Sequence, residues 1–330
     1  MLWSRRRVAL DRSEYLVAGD SRKRPLSQRI MVHFKKYWRL HVLALPAVIL
    51  LLLFCYAPMF GTVLAFQNFN AAKGFLHSEW VGLSNFKFLF TTTDAWRITR
   101  NTVLYNVAFL VINTSLSVLL AIVFNELYMK RLAKVLQTML IMPNFLSMAV
   151  IAIIVYAFLN ARDGILNQII TAVGGTTRNW YMYKPVWPFI LIFVNAWRGV
   201  GYGGIVYVAS ISGISQEYYE AAVLDGATKV QQALYITLPH LRKIIVIMLI
   251  LNLGSIFHGD FGLFYNVPMN KGVLYEYTDV IDTYIYRALT NLGNTGMSAA
   301  ASLYQSVVGC ILVLLSNMVV RRIDEESALF

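Results

Sequence analysis

Residues 220–226 read Glu-Ala-Ala-Val-Leu-Asp-Gly, and residues 236–239 read Ile-Thr-Leu-Pro. Upstream, Ser215 is followed by an amide and a carboxylate, which is a typical helix start, and Gly226 is a typical helix end. A second short helix is predicted over residues 229–237, where Leu-Pro stops it because proline lacks a backbone N–H. Long apolar segments flank this region, so we expect two short helices at an elbow between two membrane spans.

The composition indicates a membrane protein. The chain of 330 residues is 58% hydrophobic and 14% charged, and its mean hydropathy is +0.56. A soluble domain averages roughly 45–50% apolar and about 25% charged residues. The net charge is +12, but 11 of the 29 Lys and Arg residues lie in the first 40 positions. Basic residues that gather at the chain start and at span ends indicate membrane topology, not a nucleic-acid groove.

Six apolar runs are long enough to cross a bilayer. The fold class predicted from them is an all-α membrane protein with six transmembrane helices. The predicted spans are residues 42–66, 102–124, 138–159, 188–210, 244–264 and 299–320. The predicted domain division is a basic tail over residues 1–40 and a six-span domain over residues 41–330, with the polar loop at residues 212–243.

The distribution of basic residues predicts the orientation. Six spans place both termini on one side, and the segments on that side carry 19 Lys and Arg residues against 9 on the other. The positive-inside rule therefore places both termini and the loop of residues 212–243 in the cytoplasm. The predicted location is the cytoplasmic (inner) membrane.

No catalytic or metal-binding motif is apparent. The sequence contains no Walker A, G-x-S-x-G or H-E-x-x-H pattern. Cys55 and Cys310 both lie inside apolar runs without a Cys or His partner at metal-ligand spacing. We expect a chain that is not an enzyme and binds no cofactor itself.

Polar residues inside spans are costly and tend to mark transport pathways. Eight residues of the fourth and fifth spans are candidates for a substrate pathway: Asn195, Arg198, Gly199, Tyr202, Asn252, Ser255, His258 and Asp260. Arg198 is the most informative, since a central arginine costs about 2.5–3.5 kcal/mol on insertion scales. It can face a polar cavity or form a structural ion pair, for which Asp260 is the candidate partner. The amides and Ser255 can equally join helices by hydrogen bonds, and His258 is more typical of a packed residue.

The loop resembles a known family motif. Its anchors match the cytoplasmic loop of the membrane subunits of ABC importers: Glu220, Ala221, Ala222, Gly226, Ile236, Leu238 and Pro239. The resemblance implies a type I importer bundle in which this loop docks into the ATPase subunit. The residues that it implies for this coupling are Tyr218, Glu220, Ala221, Ala222, Asp225 and Gly226.

Further segments resemble the carbohydrate-importing members of this family. These segments are residues 80–86, residues 279–287 and residues 324–330. The resemblance implies import of oligosaccharides or polysaccharide fragments, with alginate importers as the most similar group. An arginine at position 198 would suit an acidic sugar. The span positions used for sugar contacts in such permeases correspond to Arg198, Gly199 and Tyr202, and to Asn252 and Ser255.

The same resemblance implies a set of partners. These are a second homologous permease, two ATPase subunits that bind ATP and magnesium, a solute-binding protein outside, an oligosaccharide substrate and the lipid bilayer, with no nucleic acid. The outer stretch of residues 265–298 either contacts the binding protein or caps the bundle. Three alternatives remain: an ABC permease for a non-sugar solute, a secondary transporter, and a membrane scaffold.

Overall fold

The computed structural model describes residues 26–127 and 129–323. The described part is almost entirely helical, with one antiparallel pair of two-residue strands, β1 (Gln67–Asn68) and β2 (Glu79–Trp80). Most of the predicted basic tail and the run of residues 324–330 lie outside the described residues. The tail boundary at residue 40 stays a prediction, and residues 26–40 belong to the first helix.

The helices are numbered in chain order. They are α1 (Leu26–Leu51), α2 (Gly74–His77), α3 (Phe88–Thr91), α4 (Thr93–Glu126), α5 (Lys130–Ile141), α6 (Met148–Leu159), α7 (Ile165–Ala172), α8 (Trp187–Ser212), α9 (Gln216–Leu224), α10 (Lys229–Gln232), α11 (Leu238–Leu253), α12 (Phe261–Asn266), α13 (Tyr275–Thr278), α14 (Ile281–Thr290) and α15 (Thr295–Ile323). Turns of 3₁₀ or π geometry join several of them.

The described part of the chain divides into two compact units, one that ends at Gly61 and one that begins at Thr62. In the first unit, α1 runs through Pro46 and passes into a π turn at Leu52–Tyr56. Leu43 and Phe54 are 79% and 75% exposed. Such an apolar, exposed helix is suited to contact with lipid or with another helix.

The predicted spans are present with different ends. Among the described residues, five helical segments are long and apolar enough to cross a membrane: Lys35–Phe66, Thr93–Glu126, Lys184–Ser212, Lys229–Leu253 and Thr295–Arg322. A bent pair, Arg131–Phe145 and Met148–Leu159, gives the sixth predicted span when its two helices are counted as one. The second unit is built around α4 and α8, where the Ser117 hydroxyl donates to the carbonyl of Val200 over 3.0 Å.

The third span is broken and not one helix as predicted for residues 138–159. Its two halves differ in direction by 101°. Pro143 is buried in a 3₁₀ turn at Met142–Phe145, where its missing N–H interrupts the helical ladder. Ser147 then caps a new helix, since its hydroxyl accepts from the Val150 N–H at 3.3 Å.

The predicted helix stop at Leu238-Pro239 is wrong. The helical segment continues from Lys229 to Leu253. A π turn at Ala233–Thr237 ends two residues before Pro239, and the wider i→i+5 pairing of this turn accommodates the missing N–H. His240 Nδ1 also lies 2.7 Å from the carbonyl oxygen of Ile236 in this turn.

The fifth span ends earlier than predicted. Helix α11 stops at Leu253, and residues 254–260 are non-helical before α12 begins. Side-chain amides take over the freed carbonyls: the half-buried Asn106 donates to Ile256 and His258, and the buried Gln305 donates to Phe257. Non-helical backbone at membrane depth is stable where side chains satisfy it in this way.

Candidate functional site: the polar loop and the mid-span polar cleft

The loop helix α9 has the predicted ends. The Ser215 hydroxyl accepts from the Glu217 N–H at 3.4 Å, and Gly226 follows the helix with φ +78°. The Ala227 N–H then donates back to the Ala222 carbonyl, which is a typical helix-ending pattern. A positive φ is costly for any residue with a β-carbon, which explains the glycine.

The proposed coupling residues form an accessible surface. Tyr218 is 56% exposed, and Glu220, Ala221, Asp225 and Gly226 are exposed, while Ala222 is half-buried. Small side chains beside an exposed carboxylate allow another protein surface to approach the helix backbone closely. The structure therefore brings these residues together on α9 and the turn that ends it.

One ion pair joins the loop to the end of α4, and two hydrogen-bonded contacts hold the loop together internally. Lys229 Nζ lies 3.0 Å from a carboxylate oxygen of Glu126 at the end of α4. The hydroxyls of Tyr219 and Thr237 are 2.9 Å apart. Thr228 and Gln231 form a reciprocal cap at the start of α10. Because α10 continues through the π turn into α11, the loop and the fifth span form one continuous helical rod.

Arg198 and Asp260 form an ion pair, which was one of the two arrangements predicted for Arg198, the other being contact with a polar cavity. Arg198 NH1 lies 3.2 Å from Asp260 Oδ2, and the side chains are 30% and 32% exposed. The other carboxylate oxygen of Asp260 accepts from the Leu263 N–H at 3.1 Å and so caps α12. The pair therefore joins the fourth span to the end of the non-helical segment.

The ion pair leaves most of the Arg198 donors unused. A guanidinium offers five N–H donors, and in the described part of the chain its hydrogen bonds go to Asp260 alone. Its Nε is buried there without a partner. A half-exposed arginine with free donors is suited to bind a carboxylate or hydroxyl groups.

A polar cleft of about 120 Å³ lies between the second and fifth spans. Asn252 and Ser255 line it, as predicted for a pathway, together with Asn106, Asn113 and Thr114 from α4. Asn113 Nδ2 donates to Asn195 Oδ1 over 2.8 Å and is the nearest neighbour, at 3.6 Å, of a β-carbon added at Gly199. These contacts connect the cleft to the face of α8 that carries Arg198.

The remaining candidates are less closely connected. Tyr202 is 56% exposed, and within the described residues its side chain makes no hydrogen bond. The His258 side chain is exposed, while its backbone bonds to Ser255 and Asn106. Sequence reasoning missed Asn106, Asn113 and Thr114, although polar residues seven apart inside the second span were a usable signal.

The outer stretch of residues 265–298 turns two of its three acidic residues inward. Asp279 is 1% exposed and accepts from Arg97, Thr283 and Arg287. Asp282 accepts from the Gly259 N–H and from Gln305, and burial raises the pKa of its carboxyl despite these hydrogen bonds. Glu276 stays exposed, 3.2 Å from Lys184. Capping of the bundle therefore accounts for Asp279 and Asp282.

The chain belongs to the family of binding-protein-dependent transport system inner membrane components, whose model matches residues 117–325. It is a multi-pass membrane permease with the all-α fold of type I ABC importers, as the motif predicted. Membership in this family decides against the secondary transporter and the scaffold. The dependence on a binding protein agrees with the predicted solute-binding partner.

Two curated relatives cover nearly the whole chain. The polygalacturonan/rhamnogalacturonan transport system permease protein YteP of Bacillus subtilis (strain 168) is 32% identical over 305 residues, 92% of this chain and 94% of that protein. Protein LplB of the same organism is 30% identical over 299 residues, 90% of this chain and 93% of that protein.

Two solved structures have the same fold. One is a bacterial ABC transporter involved in the import of the acidic polysaccharide alginate, with a TM-score of 0.82, 31% identity, and coverage of 90% of this chain and 99% of that chain. The other is a bacterial alginate ABC transporter in complex with an alginate pentasaccharide-bound periplasmic protein, with a TM-score of 0.81, 31% identity, and coverage of 89% and 98%. The predicted resemblance to alginate importers is confirmed.

Proposed function

We propose that this permease carries acidic oligosaccharides or polysaccharide fragments across the inner membrane. The observation that carries the proposal is Arg198, a half-exposed guanidinium inside a span whose single acceptor in the described chain is Asp260. Relatives that transport polygalacturonan or alginate support it, since both polymers consist of uronic acids. A carboxylated sugar can compete with Asp260 for the donors that Arg198 has free.

The substrate pathway that we propose combines the predicted residues with those of the polar cleft. It comprises Asn195, Arg198, Gly199, Tyr202, Asn252, Ser255, His258 and Asp260, together with Asn106, Asn113 and Thr114. The amides and hydroxyls supply donors and acceptors for sugar hydroxyls. Gly199 leaves room beside them, and Tyr202 offers a flat ring and a hydroxyl.

ATP hydrolysis belongs, in this proposal, to two partner ATPase subunits that bind ATP and magnesium, while this chain binds no cofactor. A second, homologous permease completes the pathway. Both termini and the loop of residues 212–243 face the cytoplasm, where Glu220 and its small neighbours dock into an ATPase subunit. Labelling of single cysteines introduced at exposed loop positions, from either side of sealed vesicles, tests this orientation.

A single helical segment leads from the loop to the cleft. The helical rod Lys229–Leu253 carries the loop at one end and Asn252 at the other. Movement of the loop by the ATPases would displace the rod and the non-helical segment that holds Asp260. ATP and the loaded binding protein can shift the equilibrium between the two states only by as much as their affinities for the two states differ.

The experiment compares Arg198→Ala with Asp260→Asn in the reconstituted importer. Asparagine caps helices as well as aspartate does, so Asp260→Asn removes the charge and keeps the start of α12. We expect Arg198→Ala to lower uptake of an oligogalacturonide at least about tenfold, because a charge-assisted contact is lost. Asp260→Asn should retain that uptake, because the arginine stays and its competitor carboxylate is gone.

A purely structural ion pair predicts a different result. Both variants would then lower the melting temperature and the uptake to a similar extent. Uptake of a neutral oligosaccharide in place of the acidic one, insensitive to Arg198→Ala, would contradict the proposed substrate class. Import of a non-sugar solute alone would favour the remaining alternative permease function.

A further inference from the structure

Three aromatic rings form a cluster on α12 and α14. The ring centroids of Phe261 and Tyr265 are 5.0 Å apart with an interplanar angle of 21°. Tyr286 lies 4.9 Å from Phe261 and 5.2 Å from Tyr265, tilted by 54° and 75°. Offset and edge-to-face contacts of this kind fix the orientation of each ring. Tyr286 is thus held in place by two rings from another helix.

The cluster keeps part of its surface open. Tyr286 is 40% exposed, and Phe261 and Tyr265 are half-buried. Among the described residues, neither the Tyr265 nor the Tyr286 hydroxyl has a hydrogen-bond partner. A tyrosine that is packed on one side usually places its hydroxyl against a partner, so these free hydroxyls can serve a ligand.

The cluster and the Arg198–Asp260 pair are held next to each other by the same segment of the chain. Phe261 directly follows Asp260 in the chain. On α14, Asp282 lies one turn before Tyr286 on the same helix face, and its carboxylate accepts from the Gly259 N–H. The segment that carries Asp260 and the helix that carries Tyr286 are therefore joined by a hydrogen bond next to the ion pair.

We propose that Tyr286, supported by Phe261 and Tyr265, is a stacking site for one pyranose ring of the acidic oligosaccharide. The C–H face of a pyranose is apolar and flat and fits an aromatic face, while its hydroxyls can bond to the free tyrosine hydroxyls. The carboxylate of the bound chain is held by Arg198 in the same region. This inference rests on the proposed function and adds a second contact of different chemistry.

A lipid-facing aromatic belt is the competing explanation. Belt residues present their rings to the bilayer interface. Tyr286 instead shares its helix face with the Asp282 carboxylate, which is bonded to Gly259 and Gln305. Because Asp282 on this face accepts from the Gly259 N–H, Tyr286 lies beside the segment that carries Asp260, and this position favours the saccharide.

The test uses the complete importer in nanodiscs and a fluorescently labelled oligogalacturonide. Fluorescence anisotropy gives its dissociation constant for the wild type, Tyr286→Phe and Tyr286→Leu. Leucine keeps apolar volume but lacks a flat face, so we expect the constant to rise about fivefold for leucine and to stay within about twofold for phenylalanine. Phe90→Leu is the matched control, since Phe90 is 81% exposed on α3 and outside the cluster, and should match the wild type.

Two results would overturn the stacking site. One is equal affinity for Tyr286→Leu and the wild type in a sample where Arg198→Ala abolishes binding, which leaves the proposed function intact. The other is a loss of binding-protein affinity in Tyr286→Leu at unchanged saccharide affinity, which would make Tyr286 a protein contact. Absence of oligogalacturonide binding and uptake in the wild type would instead refute the proposed function itself.

Discussion

Asn167 shows how one buried amide can organise the whole segment of residues 160–180. Its Nδ2 donates to the carbonyls of Asn160, Ala161 and Arg178, and its Oδ1 accepts from the Arg178 N–H and from Trp180 Nε1. The side chain is 1% exposed. Because every hydrogen-bonding group of the amide is used, the turn after α6 and the chain after α7 are held together at this residue.

Replacing Asn167 by alanine should therefore destabilise the segment of residues 160–180. The backbone groups and Trp180 Nε1 lose their partners, and an unsatisfied buried polar group costs about 1–3 kcal/mol. Limited proteolysis of the purified importer should show faster cleavage in this segment, with a lower melting temperature. Asn179→Ala is the control, since Asn179 is exposed in the same segment. Equal behaviour of the two variants would contradict the role of Asn167.

At the scale of elements, the broken third span is possible because α8 offers a glycine where the two helices meet. A β-carbon at Gly201 would lie 2.0 Å from the carbonyl oxygen of Leu140 at the end of α5. That neighbour is backbone and cannot rotate away. At Gly204, one helical turn further, the nearest atom to an added β-carbon is the Ser117 carbonyl oxygen at 3.6 Å, an ordinary contact.

The same substitution should have opposite effects at these two glycines. Gly201→Ala forces α5 and α8 apart and should cost about 1–3 kcal/mol, as overpacking does. Gly204→Ala fits the available space and should be neutral or stabilise the helix by up to about 1 kcal/mol, because alanine favours helices over glycine. Thermal unfolding in detergent measures both. A stable Gly201→Ala variant would mean that the two helices are not in contact in the membrane.

At the scale of the whole molecule, the loop of residues 212–243 and the polar cleft are joined by a continuous helix. Glu220 stands exposed on α9, and the rod Lys229–Leu253 leads from the same loop to the polar cleft. Coupling requires an element with two arrangements that both sites bias. The rod is the element of this chain that meets both the loop and the cleft through covalent continuity.

Glu220→Ala should uncouple the importer. We expect the stimulation of ATPase activity by the loaded binding protein to fall at least about tenfold, since truncating one partner of a charged pair buried in a docked interface costs about 2–5 kcal/mol. ATPase activity of the purified complex, with and without the binding protein, measures this. Glu217→Ala on the same helix is the matched control, because Glu217 is also exposed. Full stimulation in an assembled Glu220→Ala complex would contradict the coupling role.

The sequence by itself determined the membrane character, the number of spans and the loop motif. Long apolar runs and clusters of basic residues can be recognised in the sequence itself. Bilayer thickness sets the length of an apolar run, and basic residues at span ends set the topology. The loop ends at Ser215 and Gly226 were predictable as well, because a capping hydroxyl and a positive φ depend on local chemistry. Arg198 stood out for the same reason, since an arginine inside an apolar run is costly wherever it lies.

The tertiary structure decided where helices break and which polar groups meet. Pro143 and Pro239 have the same local preference, yet one ends a helix at a 101° bend and the other lies in a continuous rod beside a π turn. The end of α11 at Leu253 depends on Asn106 and Gln305, which come from distant spans to satisfy the freed carbonyls. The pairing of Arg198 with Asp260 joins residues 62 positions apart. Such contacts are set by the packing of spans against one another, and local sequence does not encode them.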